Sequence, residues 1–273
     1  MLLYKYTRAK HLASIVQGNL AFPRHSQLND PFESSIESAI DHLRIDYKYN
    51  LPQASRPLGV EIEPGLLRHP FNSYSENRDQ YSHNLAVEDH NKRLEDAFKY
   101  LLLCRDRLGI LSLTSDPENV VMWAHYAENS AGVCVGIELG HAFFKEYKPT
   151  LWEQASDFRL FQPKPVTYRR LRPTYGEATA LGYVVKAFFT KYDPWSYEQE
   201  YRLLRPIDEC DTSEAVPLYR IPNILIKEII LGMKAPDQVR QLALDLSKKF
   251  KHLMLTRIES VSAQYQLERR SLN

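Results

Sequence analysis

Apolar and polar positions alternate from the first residues of the chain. LLYKYT, Leu2 to Thr7, predicts a short strand, because successive strand side chains point to opposite faces. Thr7 is placed to cap the helix next in line. In RAKHLASIVQG the period changes: Leu12, Ile15 and Val16 fall on one helical side, and Gly18 stands where a helix stops. NLAFP predicts a second strand, ended by Pro23. NDPFES has the form of a helix start, with Asp30 as cap, Pro31 in the first turn and Glu33 three residues after the cap. LAVEDHNKRLEDAFKYLLLCRDR predicts an amphipathic helix, with Leu94, Phe98, Leu101 and Leu102 toward a core.

Beyond it, GILSLTSD predicts a strand ending in small hydroxyls, and SDPENVVMWAHYAEN repeats the cap-then-proline helix start. GVCVGIEL has the pattern of a strand buried on both faces. Pro165 to Tyr168 predicts a short strand and ALGYVVKAFFTKY a helix. Ile224 to Gly232 predicts a strand, Asp237 to Lys249 a helix, and HLMLTRIESVSAQYQL one or two closing strands. Residues 46–84 are polar and proline-dotted, the mark of a surface insertion. The expectation is one α+β domain over 1–273, with a mixed or antiparallel sheet core flanked by helices.

Composition narrows the function classes. With 44% hydrophobic and 25% charged residues the chain is an ordinary globular protein. Ten glycines are few, and no phosphate-loop or dinucleotide-binding glycine fingerprint occurs. The formal net charge of +1 gives no global pull toward nucleic acid or membrane. Lys164, Arg169, Arg170 and Arg172 form a local basic cluster, open to a phosphate role or to plain solvation. Cys104, Cys134 and Cys210 lack metal-ligand pairing and read as free thiols. MLLYKYTRAK has no apolar core of a signal peptide, and no run approaches the roughly 20 apolar residues of a membrane span. A cytoplasmic protein is expected.

The stretch WSYEQEYRLL, Trp195 to Leu204, carries the densest candidate chemistry. As a strand it places Glu198, Glu200 and Arg202 on one face, neighbours about 6.5 to 7 Å apart. As a helix it pairs Glu198 with Arg202 at i,i+4, with Ser196 as cap. Either is also compatible with an ordinary charged face. His125 stands among the aromatics of VMWAHY, as a core histidine or as a substrate contact. Thr7, Ser112 and Thr114 sit at predicted strand ends, where binding groups are displayed. No metal-ligand spacing joins Asp30, Glu33 and His125.

The order of these pieces is familiar. YKYT, LNDPFE, LSLTSD followed by MWAHY, GVCVGIEL, VTY, then K…WSYEQEYRLL and IKEIILG resemble the bacterial family catalogued as domain of unknown function 2971. A second resemblance lies in element order: a Y-x-Y-T strand, a helix ending in glycine, a later strand with Ser/Thr and a late Glu-x-Glu are similar to the order in ADP-ribosyltransferase-like toxins. That resemblance implies a split sheet, NAD as co-substrate with no metal, and a nucleic-acid or protein acceptor. It implies a catalytic Glu200 with Glu198 as accessory acid, and His125 joins them as a candidate catalytic residue. Tyr4, Lys5, Tyr6, Thr7, Ser112, Thr114, Trp123, Tyr126 and Arg202 would line the NAD site, and Asn29, Asp30, Glu33 and Arg170 the substrate side. Lys5 stands where such strands often carry His. A toxin or anti-phage effector fits this reading. The competing classes are a nuclease- or glycosidase-type hydrolase using Glu198, Glu200, Asp30 and His125, and a non-catalytic module that senses a ligand or partner.

Overall fold

The computed structural model describes residues 1–30, 88, 89, 92, 102, 105–148, 161–172 and 186–272. Contacts divide the chain into two compact units, one of Met1–Asn29, Arg107–Arg170 and Lys191–Asn273, the other of Asp30–Asp106 and Leu171–Thr190. In the second unit the described residues between 88 and 106 are helical, as expected there, while Leu94, Phe98 and Leu101 lie outside the described residues. Glu33 and the expected insertion at 46–84 lie outside the described residues.

The first unit is built on strands β1 (Leu2–Thr7), β2 (Asn19–Ala21), β3 (Leu108–Thr114), β4 (Val133–Glu138), β5 (Lys164–Pro165), β6 (Thr167–Arg169) and β7 (Thr190–Tyr192). They continue as β8 (Glu200–Pro206), β9 (Leu218–Arg220), β10 (Ile226–Leu231), β11 (Met254–Ser260) and β12 (Leu267–Ser271). Helices α1 (Leu12–Val16), α2 (Val120–Tyr126), α3 (Ala142–Lys145) and α4 (Asp237–Lys249) accompany them. Eight strands form one sheet in the order β12-β11-β10-β4-β1-β3-β8-β5, while β2 pairs with β9 and β6 with β7. Within the eight-stranded sheet β10 and β11 run parallel, joined through α4, and the other pairings are antiparallel. The fold is therefore α+β with a mixed sheet, as the pattern predicts.

The sheet nearly parts between β1 and β3. β1 pairs with β4 along its length, from Leu2 with Glu138 to Thr7 with Val133. It meets β3 only at Tyr4 with Thr114. β3 and β8 then run together from Leu108 with Pro206 to Thr114 with Glu200. The sheet is thus two strand groups joined at a single pair. A lysine fills the gap: Lys5 Nζ donates to the Ser112 backbone carbonyl at 2.9 Å.

Strand alternation sends apolar groups to both faces. Leu3, Leu111, Leu113, Val135 and Leu203 pack with Leu12, Ile15 and Val16 of α1 and with Ala243 and Leu246 of α4. Tyr4, Tyr6, Cys134 and Ile230 pack on the other face with Met122 and Trp123 of α2. Burying each large side chain fully contributes about 1.5–3 kcal/mol, so these two layers supply most of the drive to fold. No helix among the described residues is long and apolar enough to cross a membrane.

Local signals misplace several boundaries. Thr7 is not a cap: Arg8 precedes the short helix Ala9–His11, and His11 precedes α1. The cap of α2 is Asn119, whose side chain accepts from Met122 N at 3.1 Å, three residues after the expected Asp116. The cause is local competition: Thr114 Oγ1 accepts from Asp116 N, and Asp116 Oδ1 from Glu118 N, so SDPE closes a turn first. α2 ends at Tyr126 rather than Asn129, because Glu128, Asn129 and Ser130 all adopt positive φ in a left-handed turn. The expected strand at Pro165–Tyr168 is divided between β5 and β6, and the TKY expected as helix is strand β7.

Gly18 does stop the helix, with φ of +98°. An added Cβ would lie 2.1 Å from the Ile221 carbonyl oxygen. Gly18→Ala is expected to cost about 1–3 kcal/mol in urea unfolding, from strain plus this clash; an unchanged midpoint would contradict the assignment.

Candidate functional site

WSYEQEYRLL is neither one strand nor one helix. Asp193–Glu198 forms a 3-10 helix, Gln199 turns left-handed at φ 43° and ψ 48°, and β8 starts at Glu200. Such a conformation costs a side-chain-bearing residue about 1–2 kcal/mol, so its neighbours must hold it. Ser115 Oγ donates to Gln199 Oε1 at 3.0 Å, and Glu200 N donates to Tyr168 Oη at 2.8 Å. The bend brings both glutamates against one lysine. Lys191 Nζ donates to Glu198 Oε2 at 2.6 Å and to Glu200 Oε2 at 3.4 Å.

Arg202, two residues along β8 and on the same face as Glu200, completes the cluster. Its Nε donates to Glu200 Oε1 at 2.8 Å and its Nη2 to Glu200 Oε2 at 2.9 Å, a two-pronged contact. The side chains of Lys191, Glu198, Glu200 and Arg202 are each 5% exposed or less. Burial pushes the Glu200 carboxyl up, but the Arg202 guanidinium, Lys191 and the Ser112 hydroxyl outweigh it and bring the carboxyl down to about 2. Burial pushes the Lys5 ammonium down, against a weaker opposing pull from Glu200 and Glu198. The rest of the Lys5 residue is partly accessible; it is the ammonium end that lies inside. Desolvating ions on this scale is no efficient route to stability, which makes the cluster a candidate for function.

The two carboxylates differ in what they have left to offer. Glu200 accepts from both prongs of Arg202, from Lys191 and from Ser112, which occupies the roughly four acceptor positions of a carboxylate. Among its described contacts, Glu198 accepts from Lys191 and from Tyr126, whose hydroxyl lies 2.5 Å from Glu198 Oε1. Asn29 Nδ2 donates to the same hydroxyl at 3.0 Å. Burial, and then the hydrogen bond to Glu198, push the Tyr126 phenol well above its ordinary range. Tyr126→Phe leaves Glu198 Oε1 without this donor, an expected loss of about 1–3 kcal/mol by urea unfolding; a neutral result would mean that the hydroxyl is replaceable by water.

Of the residues singled out in the sequence, Lys5, Ser112, Tyr126, Glu198, Glu200 and Arg202 come together here, with Asn29 one hydrogen bond away. His125 is exposed on α2, its Nδ1 3.3 Å from the Tyr197 hydroxyl. Trp123 is fully buried edge-on to Tyr6, and its indole donates to the Pro117 carbonyl at 2.9 Å. Tyr6 accepts from Asn119 N and donates to the Asp116 carbonyl. Thr114 is buried, its hydroxyl holding the SDPE turn. Tyr4 belongs to a separate network with Arg269 and Glu228, and Thr7 closes β1 opposite Val133. Arg170 is exposed, 3.8 Å from Asp193. Asp30 and Arg172 belong to the other unit.

Sequence reasoning gave no role to Lys191 or Tyr168. Lys191 stands in the K…WSYEQEYRLL order, but its segment has helical periodicity that hides a strand. Tyr168 acts through its hydroxyl on a backbone amide, which no side-chain pattern reveals. Among the described residues, no group of three or more His, Cys, Asp or Glu side chains is placed to hold a metal ion.

Residues 122–203 match the family described as Protein of unknown function (DUF2971). The match starts in MWAHY and ends inside WSYEQEYRLL, the two stretches on which the family resemblance rests most. It contains Tyr126, Tyr168, Lys191, Glu198, Glu200 and Arg202, the cluster except for Lys5 and Ser112. No curated protein and no solved structure matches the chain.

Proposed function

We propose that the protein cleaves the bond between ribose and nicotinamide in NAD, or in a closely related nucleotide, and transfers the ADP-ribosyl group to an acceptor. The observation that carries this reading is the pair of adjacent buried carboxylates, one saturated and held ionised, the other with acceptor capacity to spare. The late Glu-x-Glu similar to that of ADP-ribosyltransferase-like toxins supports it.

The chemistry suits these groups. The C–N bond breaks with its electron pair leaving on nicotinamide, which departs neutral and needs no acid. Positive charge develops on the ribose, as in a glycoside. Glu198, steadied by Tyr126 and Lys191, accepts from a ribose or acceptor hydroxyl. Glu200, fixed by Arg202, supplies a preorganised negative charge and anchors Lys191. This gives the substrate contact to Glu198 and a positioning role to Glu200, whereas the resemblance alone gives Glu200 the catalytic place. The acceptor nucleophile attacks the anomeric carbon, and its proton passes to Glu198 or to water.

The test is to incubate purified protein with NAD and a panel of RNA, DNA and protein acceptors, and to measure nicotinamide and ADP-ribosylated product. The expected result is nicotinamide release coupled to labelling of one acceptor class. No release with any acceptor contradicts the proposal. It would favour a ligand-sensing module, a reading supported by the full pairing of Glu200.

A further inference from the structure

Around the buried acids the first unit carries an exposed rim of different chemistry. β6 ends on the exposed Arg169. The side chain of Arg170 is 86% exposed and meets Asp193 at 3.8 Å, the long limit of an ion pair. β7, paired with β6, ends on Tyr192, which is 47% exposed. The short helix Asp193–Glu198 presents Trp195 and Tyr197, ring centroids 6.2 Å apart and 38° from parallel. Tyr197 continues to the exposed His125, 6.3 Å away between centroids. Lys191 Nζ stands 4.8 Å from the Trp195 ring centroid, so the cation that holds Glu198 and Glu200 also bounds this aromatic.

We propose that this rim binds single-stranded nucleic acid. Guanidinium groups on a strand end suit phosphates, and a row of partly exposed rings suits unstacked bases. A polyacidic peptide would engage Arg169 and Arg170 but leave Tyr192 and Trp195 without partners. A duplex keeps its base faces hidden and leaves the rings equally idle. The plain alternative, a solvated charged face, accounts for the arginines but not for aromatics beside them. The inference deepens the proposed ADP-ribosyl transfer, and rests on it for the acceptor role: it names the acceptor class. It brings a strand to within one side chain of the acids, through Trp195 and Lys191.

The experiment measures fluorescence anisotropy of a labelled single strand of about 12 nucleotides, as DNA and as RNA, without NAD. The same sequence as duplex, and polyglutamate, serve as competitors. Binding of a single strand is expected, with duplex and polyglutamate competing weakly. Between about 50 and 200 mM salt, the slope of log affinity on log salt should lie near −0.7 per phosphate neutralised, or about −1.4 for two arginines. Arg169→Glu with Arg170→Glu should flatten that slope. Tyr192→Ala, outside the buried cluster, and Trp195→Ala should each weaken binding about tenfold at unchanged slope. Competition by duplex or polyglutamate as strong as by the single strand overturns the inference, as does unchanged affinity in both aromatic variants. Binding without nicotinamide release would sustain strand recognition while sinking the proposed transfer, and release without binding would do the reverse.

Discussion

Arg202→Met is expected to lower the stability of the protein by about 3–5 kcal/mol at neutral pH, read from urea unfolding. The arginine is fully buried, and both of its prongs lie on Glu200. Methionine fills similar space but leaves a 4% exposed carboxylate with Lys191 at 3.4 Å, Ser112 and the attraction of the Lys5 ammonium to offset its desolvation. The sign of the pH dependence comes from the direction of the shift. Glu200 is ionised down to about 2 in the folded protein, below the value near 4.3 of an unfolded glutamate. Its contribution is therefore present above that unfolded value and is lost as pH falls through about 4 toward 2, a change on the order of 3 kcal/mol. The variant lacks most of this contribution, so the gap between wild type and variant should narrow in acid. A loss below about 1 kcal/mol at pH 7 would place the pair in effectively solvated surroundings.

Trp123→Ala is expected to cost about 3–5 kcal/mol, the range for emptying a fully buried aromatic site. The indole is entirely covered, edge-on to Tyr6 with centroids 5.1 Å apart, and donates to the Pro117 carbonyl. Its loss removes apolar burial and leaves a buried carbonyl without its donor. It also loosens α2, which positions Tyr126 over Glu198. An unfolding free energy within about 1 kcal/mol of wild type would mean that the cavity collapses without consequence.

Much of this architecture is legible along the chain. The alternation in LLYKYT marks β1 from Leu2 to Thr7, and the periodicity of Asp237–Lys249 delimits α4. The unbroken apolar run of GVCVGIEL marks the centrally placed β4, whose residues Val133 to Ile137 are all buried. Those elements obey one period over their whole length, and tertiary packing agrees with it. The site does not obey one period. Glu198 and Glu200 belong to different elements, separated by a left-handed glutamine that no propensity foretells. Lys191 ends a segment with the spacing of a helix. Lys5 reaches Ser112 across 107 positions through a gap between strands, a contact created by topology alone. The residue types were visible, while the way charge is shared among them required the fold.

In the proposed reaction Glu198 is the carboxylate that meets substrate. Nicotinamide release from NAD by folded Glu198→Gln beside wild type tests this most directly. Gln keeps the volume, but its single carbonyl oxygen can replace only one of the two acceptors that Tyr126 and Lys191 use, and it carries no charge and is no base. Release is expected to fall by about 10²- to 10³-fold, the cost of removing one preorganised stabilising group, with the urea midpoint showing that the variant is folded. Release at the wild-type rate from the folded variant would contradict that role and remove the cluster from the reaction.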